Sequence, residues 1–500
     1  MKKILIITTL LLVQLSAFAI EDCSCNHHHH KETDINIKDD SILTIKDCIS
    51  IGVKNSPVIK EYAHRLEIAK SNVGIAKSAY FPEFSAGAGY RQEFNSNREE
   101  FSRNYRELPS VSVSLNKMIW DFGKTTANVK MEEFLKIAAE YEFEDIVCAT
   151  VFNIKTHYYN LLRAKAEYET QKMNYDLQTK IAKEIQKLVS EGKKKQADLV
   201  NAQLRQYKAK VELNNSEVSY KNAKEELNNA IYLENAPDYK IYETQTFSYK
   251  PQKQNSIKNI SYTQTKQQIK KDDTIFTHPK FTYTEAVEKA YKNSPDIKAL
   301  VATKNSLEQA LLLVKRSYYP ELNAGVGYDF LNTNQFKNNG LSVGVSVESS
   351  INAMRQKYDI KGAKAQLELA DTEIETFKKN LYFTVRKCLN NVNTTYKNIS
   401  ENKEKMQKAS QYFDITYSNY NKNITSQLDL EYAKEVYINS INEYTKAEYK
   451  YNIALINLEM AMHYHLIDYH DDAEHAAEYH EGDENESLSK FIQCGKKHQK

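Results

Sequence analysis

Beyond Pro82 the apolar positions fall on every second residue: Phe84, Ala86, Ala88 and Tyr90 alternate with Ser85, Gly87, Gly89 and Arg91. A period of two predicts a strand with one apolar and one polar face. After a polar loop at about 94–107 the alternation resumes, with Val111, Val113 and Leu115 against Ser112, Ser114 and Asn116. The period then changes. Val147, Val151, Ile154, Tyr158 and Leu161 step by 4, 3, 4 and 3, a coiled-coil seam, within a stretch from Lys124 to Glu191 that contains neither Gly nor Pro. At 1.5 Å per residue such a helix is roughly 100 Å long. Gly192 is suited to end it in a left-handed conformation, and a return helix is expected over about 198–233.

The same order occurs twice. Asn55-Ser56-Pro57 recurs as Asn293-Ser294-Pro295, Tyr80-Phe81-Pro82-Glu83 as Tyr318-Tyr319-Pro320-Glu321, and Ala86-Gly87-Ala88-Gly89-Tyr90 as Ala324-Gly325-Val326-Gly327-Tyr328, all at one ungapped offset of 238. Fifteen identities between residues 44–90 and their counterparts mark a duplication. In each copy a helix follows Asn-Ser-Pro, with Ser able to cap it and Pro suited to its first position. The second hairpin alternates Leu322, Ala324, Val326, Tyr328 and Phe330, then, past a loop at 331–340, Leu341, Val343, Val345 and Val347. Its long helix carries the seam Ile360, Ala363, Leu367, Ala370, Ile374, Phe377 and Leu381.

The expected organisation is therefore a signal peptide at 1–19, a Cys/His-containing segment at 20–42, and repeat 1 at 43–233. A connector follows at 234–281, then repeat 2 at 282–465 and an acidic, His-rich tail at 466–500. The hairpins are placed at about 83–117 and 321–348, the long helices at about 124–191 and 353–421, and the second return helix at about 428–465. Lys2, Lys3, the apolar run Ile4 to Val13 and Ala17-Phe18-Ala19 form the leader pattern of an exported chain.

Composition narrows the function. With 13 Gly and 8 Pro in 500 residues, a fold made mainly of short strands is excluded. Lys plus Arg (68) nearly equals Asp plus Glu (66), so no basic field is available for nucleic acid. Mean hydropathy of -0.65 excludes a polytopic helical membrane protein. No Gly-rich phosphate loop and no nucleophile with a base and orienter can be placed, so the chain is read as a non-enzyme without a cofactor.

Two apolar-faced hairpins in an exported chain fit a transmembrane β-barrel wall. Four strands leave open edges that lipid cannot satisfy, so closure requires further copies. Three chains give twelve strands, continued by the long helices. These residues resemble the TolC family of outer-membrane efflux channels over nearly all of 43–465. The twin Asn-Ser-Pro helices, the twin Pro-Glu plus Gly-x-Gly-Tyr strand starts, Trp120-Asp121-Phe122-Gly123 and the two Gly/Asn...Asp-Leu turns carry the likeness. The resemblance implies a mainly α protein with a membrane part. A homotrimer builds a 12-stranded β-barrel (4 strands per chain) in outer-membrane lipid, continued by a coiled-coil barrel in the periplasm. It also implies a periplasmic adaptor and an inner-membrane pump of RND or ABC type, in efflux or type I secretion. Two other readings are a secreted trimeric coiled-coil adhesin and a heavy-metal-specific efflux channel.

The turns carry the candidate sites. Asp429 matches a family carboxylate that rings the periplasmic entrance, and Asp198 is its counterpart in the first turn; helix capping is the competing reading for both. The family's second acidic position is Tyr432 here, and Glu431 is expected to face elsewhere. Gly192, Lys193, Lys194, Lys195, Asn423, Ile424 and Thr425 form the tips where an adaptor would dock, or, for the lysines, a solvated charge run. Cys23, Cys25, His27, His28, His29 and His30 offer thiolate and imidazole ligands for Cu(I) or Zn, against mere solvation of a flexible segment. Disulfides among Cys23, Cys25, Cys48 and Cys494 are also open to an exported chain.

Overall fold

A computed structural model describes residues 41–96, 103–242, 281–332, 337–349, 352–422 and 424–463. The chain divides into two compact units. The smaller, described at 41–43 and 235–240, pairs β1 (Ile42–Leu43) with β4, which begins at Lys240 and ends at Ile241; Lys240 N donates to Ser41 O at 2.9 Å. The larger holds all other described elements.

Its first helices begin earlier than the Asn-Ser-Pro motifs suggest. Before each motif stands an additional helix, α1 (Ile45–Asn55) or α5 (Tyr283–Asn293), ahead of α2 (Pro57–Ser78) and α6 (Pro295–Arg316). Both extra helices open on reciprocal capping boxes, Thr44 with Asp47 and Thr282 with Glu285, each satisfying two orphan donors. Ser56 and Ser294 then serve two helices at once. The N–H of Ser56 bonds back to Gly52 O, while its Oγ accepts from Ile59 N at 3.2 Å; Ser294 does the same with Ala290 and Ile297. Both serines are fully buried, which makes these contacts necessary.

The long helices are α3 (Lys124–Ser190) and α7 (Ala353–Asn421), and they turn back into α4 (Gln196–Ala230) and α8 (Gln427–Met462). The 22-residue α2 and the 35-residue α4 both pack along α3, which at 67 residues is long enough to hold them in succession. Helix α6 packs on α3 and α7, and α8 lies on both α7 and α3, joining the two copies. The seams are where contact occurs. Ile154, Tyr158 and Leu161 are fully buried, as are Ala433, Tyr451, Ala454 and Leu458 along α8. Val385, Leu389 and Val392 of α7 meet Leu458 and Met462 of α8 and Ala286 and Ala290 of α5 in one core. Burial of a leucine such as Leu458 contributes about 1.5–3 kcal/mol. Helix α1 reaches α3 through Gly52, where an added Cβ would stand 2.4 Å from Ile154 Cδ1.

Cys48 lies inside this contact as a fully buried free thiol, which excludes it from the disulfides considered above; burial also pushes its pKa up to about 12. Cys148 and Cys388 form no disulfide among the described residues. Among the described residues no helix is long and apolar enough to cross a membrane.

The strands are β2 (Glu83–Ser96), β3 (Arg103–Trp120), β5 (Glu321–Asn332) and β6 (Lys337–Glu348). They run into the stretches expected to be loops, because backbone pairing continues to Ser96↔Arg103 and Asn332↔Lys337. The sheet order is β2-β3-β5-β6, antiparallel throughout, so the hairpins of the two copies join through β3 and β5.

Candidate functional site

Pairing register decides which side chains share a face of the sheet. One row runs Phe84, Leu115, Val326, Val343; the next runs Ala86, Val113, Tyr328, Leu341. The large residues of this face are solvent-exposed, Val343 at 73% and Leu341 at 69%. The opposite face reads Ser85, Ser114, Gly327, Ser342, then Gly87, Ser112, Asp329, Gly340. A sheet with an uncovered apolar face and a small, polar reverse face has the sidedness of a barrel wall between lipid and water. Its strands are staggered. Glu83, the first residue of β2, lies level with Gly325, already the fifth residue of β5, and such stagger accompanies the strand tilt of barrels. Strands β2 and β6 each have a neighbour on one side only among the described residues.

At the helix end of the sheet, exposed aromatic rings gather. Trp120 meets Phe122 at 6.0 Å between ring centroids and Phe122 meets Tyr319 at 5.4 Å, the amphipathic ring composition of a membrane interface. Here the chain passes from strand to helix through Phe122 and Gly123, both at positive φ (58° and 82°). Asp121 holds this turn by accepting from the N–H groups of Gly123 and Thr125. The copies are tied together at the same level: Arg316 donates to Gly123 O at 2.9 Å, and Lys124 pairs with Glu321 at 2.9 Å.

At the far end the two turns use one design. Gly192 at φ 71° lets Lys193 N reach Leu188 O at 2.8 Å and Gly192 N reach Val189 O at 3.0 Å, a Schellman closure. In the second turn Ile424 N reaches Asn419 O at 2.9 Å across Asn423, which itself lies outside the described residues. Asp198 accepts from Lys195 N, and Asp429 accepts from both Ser426 N and Ser426 Oγ, so both aspartates cap the following helix. The Ser426 hydrogen bonds hold the exposed Asp429 carboxyl below its ordinary pKa, so it is charged at neutral pH. Tyr432 is exposed one helical turn on.

The three lysines have separate partners. Lys193 pairs with Glu191 at 2.7 Å. Lys194 crosses to the second turn, where its ammonium meets Gln427 Oε1 and the Tyr420 hydroxyl at 3.1 Å. Lys195 is the N-cap of α4. Ile424 is exposed at 68%, and Thr425 donates back to Thr416 O at 3.4 Å. The Cys23, Cys25 and His27–His30 set lies outside the described residues.

Sequence patterning missed the charges buried on α8. Glu431 is 4% exposed and pairs with Arg205 of α4. Next to it Lys434 is 2% exposed, and its Nζ has no hydrogen-bond partner among the described residues. Burial pushes the Lys434 amine down to about 7, the nearby Arg205 adding to the effect and Glu431 opposing it. Between pH 7 and the ordinary lysine value of 10.5 the unfolded chain therefore binds a proton that the folded chain does not. Stability from this group rises with pH through that window. Lys434→Met is expected to flatten the rise, read as the denaturation midpoint at pH 7 and pH 9. An unchanged difference between the two pH values would show that the amine titrates normally.

A second cluster joins residues far apart in sequence. Asp145 of α3, Asp296 in the first turn of α6 and His463 at the end of α8 converge, with His463 Nε2 3.8 Å from Asp145 Oδ1. Burial and the neighbouring Asp296 push the Asp145 carboxyl up to about 6, burial raises Asp296, and burial with Lys298 nearby pushes His463 down to about 4. A difference between the copies is its one sequence signal: Asp296 occupies the place held by Val58.

Known proteins carry this architecture. The sequence model of a family described as outer membrane efflux protein matches residues 49–231 and 286–462, one stretch in each copy. The fold is similar to that of CusC in crystal structures concerned with folding and transmembrane channel formation (TM-score 0.69, 13% identity, 84% of this chain and 91% of that one). It is likewise similar to the CmeC outer membrane channel of Campylobacter jejuni (0.67, 15%, 84% and 85%) and to the outer membrane protein VceC of Vibrio cholerae (0.66, 15%, 84% and 95%). Comparison with curated protein sequences gives no match.

Proposed function

The chain belongs to the outer membrane efflux protein family, an outer membrane channel continued by a helical tunnel in the periplasm, and from that premise we propose that three copies close the conduit. The observation that carries this reading is the open, staggered sheet with its uncovered apolar face. Alone it leaves two edges unsatisfied in lipid; three such arcs make twelve strands and remove every edge. The helices have a matching need. Val200, Leu204, Tyr207, Val211 and Val218 form an exposed heptad stripe along α4, suited to a helix of the next copy.

Conduction is passive in this reading. A periplasmic adaptor and an inner-membrane pump, of RND or ABC type, supply the energy, and the helical tips form a closable entrance. The tie from Lys194 to Gln427, together with the Arg205–Glu431 pair, holds the two turns in register. Exposed Gly192, Lys193, Lys195 and Ile424 are the positions left for an adaptor to touch. Three copies of the ionised Asp429 would favour cations at the aperture.

Two measurements test this. Purification in detergent followed by mass determination and single-channel recording should give a trimer that conducts; a water-soluble monomer that never inserts overturns the proposal. Asp429→Asn keeps an acceptor for Ser426 while removing the charge, and is expected to lower the cation preference of the open channel. Unchanged reversal potentials would leave Asp429 with capping alone.

A further inference from the structure

The cluster of Asp145, Asp296 and His463 lies away from both the sheet and the tips, and neither conduction nor gating uses it. One ligand atom from each residue lies within 4.8 Å of the other two. The three residues come from three helices, α3, α6 and α8, and all are at least half-buried, His463 with 14% and Asp145 with 28% of the side chain exposed. The imidazole directs Nε2 toward Asp145, while Nδ1 is buried without a hydrogen-bond partner among the described residues.

We propose that Asp145, Asp296 and His463 bind a divalent transition-metal cation of the zinc class. Donor chemistry and spacing both fit. Ligands at about 2.0–2.2 Å from one zinc ion stand roughly 3–4 Å from each other, so the 3.8 Å separation of His463 Nε2 and Asp145 Oδ1 is already of the right size. Two carboxylates balance the ion's double charge, and imidazole nitrogen selects zinc-like ions over magnesium or calcium. Water completes the coordination shell. The ion is a structural tie: it pins α3, about a third of the way along its length, to the start of α6 and the end of α8, drawing both copies of the repeat together. It is distinct from any metal the channel would carry, and its absence would leave the channel reading untouched.

The test uses the full chain in detergent, stripped with EDTA, reloaded with zinc chloride and freed of excess by gel filtration. The Cys/His tracts can also take up zinc, so the quantity read is a difference between variants. Asp145→Asn with Asp296→Asn is expected to hold about one zinc fewer per chain than the unmodified protein. It should also lose the rise in unfolding temperature that zinc produces in the unmodified protein. His463→Gln, checked for folding by circular dichroism, should show the same two losses and carries the test should the double variant fail to fold. Equal zinc content in unmodified and variant chains, or a zinc-insensitive unfolding temperature in the unmodified protein, overturns the proposal.

Discussion

Arginine at both Val326 and Val343 is expected to abolish insertion into the outer membrane. The two valines are adjacent in one row of the apolar face, near the middle of β5 and β6, and Val343 is 73% exposed in the single chain. A residue on that face meets lipid once the barrel is in place. An arginine near the bilayer midplane costs about 2–4 kcal/mol, and a trimer would repeat both substitutions three times. The control is one residue away. Ser342 points to the reverse face, opposite Gly327 and in line with Ser114 and Ser85. Ser342→Arg should insert, because its charge would face water. Membrane fractionation checks both. Normal insertion of the valine variant, or equal failure of Ser342→Arg, would show that sidedness does not govern insertion.

Lys155→Met should be the most destabilising single change in the helices. Lys155 of α3 and Glu459 of α8 pair at 3.4 Å with side-chain exposures of 3% and 0%, joining the two copies inside the bundle. Removing one partner from a buried pair takes away the other's countercharge and costs about 3–5 kcal/mol. Replacing both partners by apolar groups of similar volume costs much less, so Lys155→Met with Glu459→Leu should recover most of the loss. Thermal unfolding in detergent reads both. If the double variant is no more stable than Lys155→Met, lost packing rather than a stranded carboxylate is responsible.

Much of the architecture was legible in the residues. A period of two and a seven-residue seam report strand and coiled coil directly, because each is imposed by the local geometry of the backbone. The family expected from the paired motifs is the one the chain belongs to, and the fold class agrees with the structures it resembles. The capping boxes at Thr44 and Thr282 begin helices that the Asn-Ser-Pro pattern does not reveal, because each is only 11 residues long and ends directly at that motif. Glu431 was expected to turn away from Asp429, and it does, but only the packing of α4 against it shows that it is buried on Arg205. The lysine run looked like one charged tip, whereas the structure separates Lys193, Lys194 and Lys195 among three kinds of partner.

By itself the sequence determined the duplicated plan, the order of hairpin and rod, the caps that start most helices, and the two-faced character of each strand. The last three depend on residues within a few positions of each other, and the duplication is one local pattern repeated at a fixed offset. Tertiary structure alone decided that β3 joins β5, that the apolar rows align across four strands, that Lys155 reaches Glu459, and that Asp145, Asp296 and His463 meet. Most of those contacts bring together residues more than a hundred positions apart. A charged side chain on a helix looks the same in sequence whether it ends in water or against another helix; packing of the two copies sets its environment, and with it its charge.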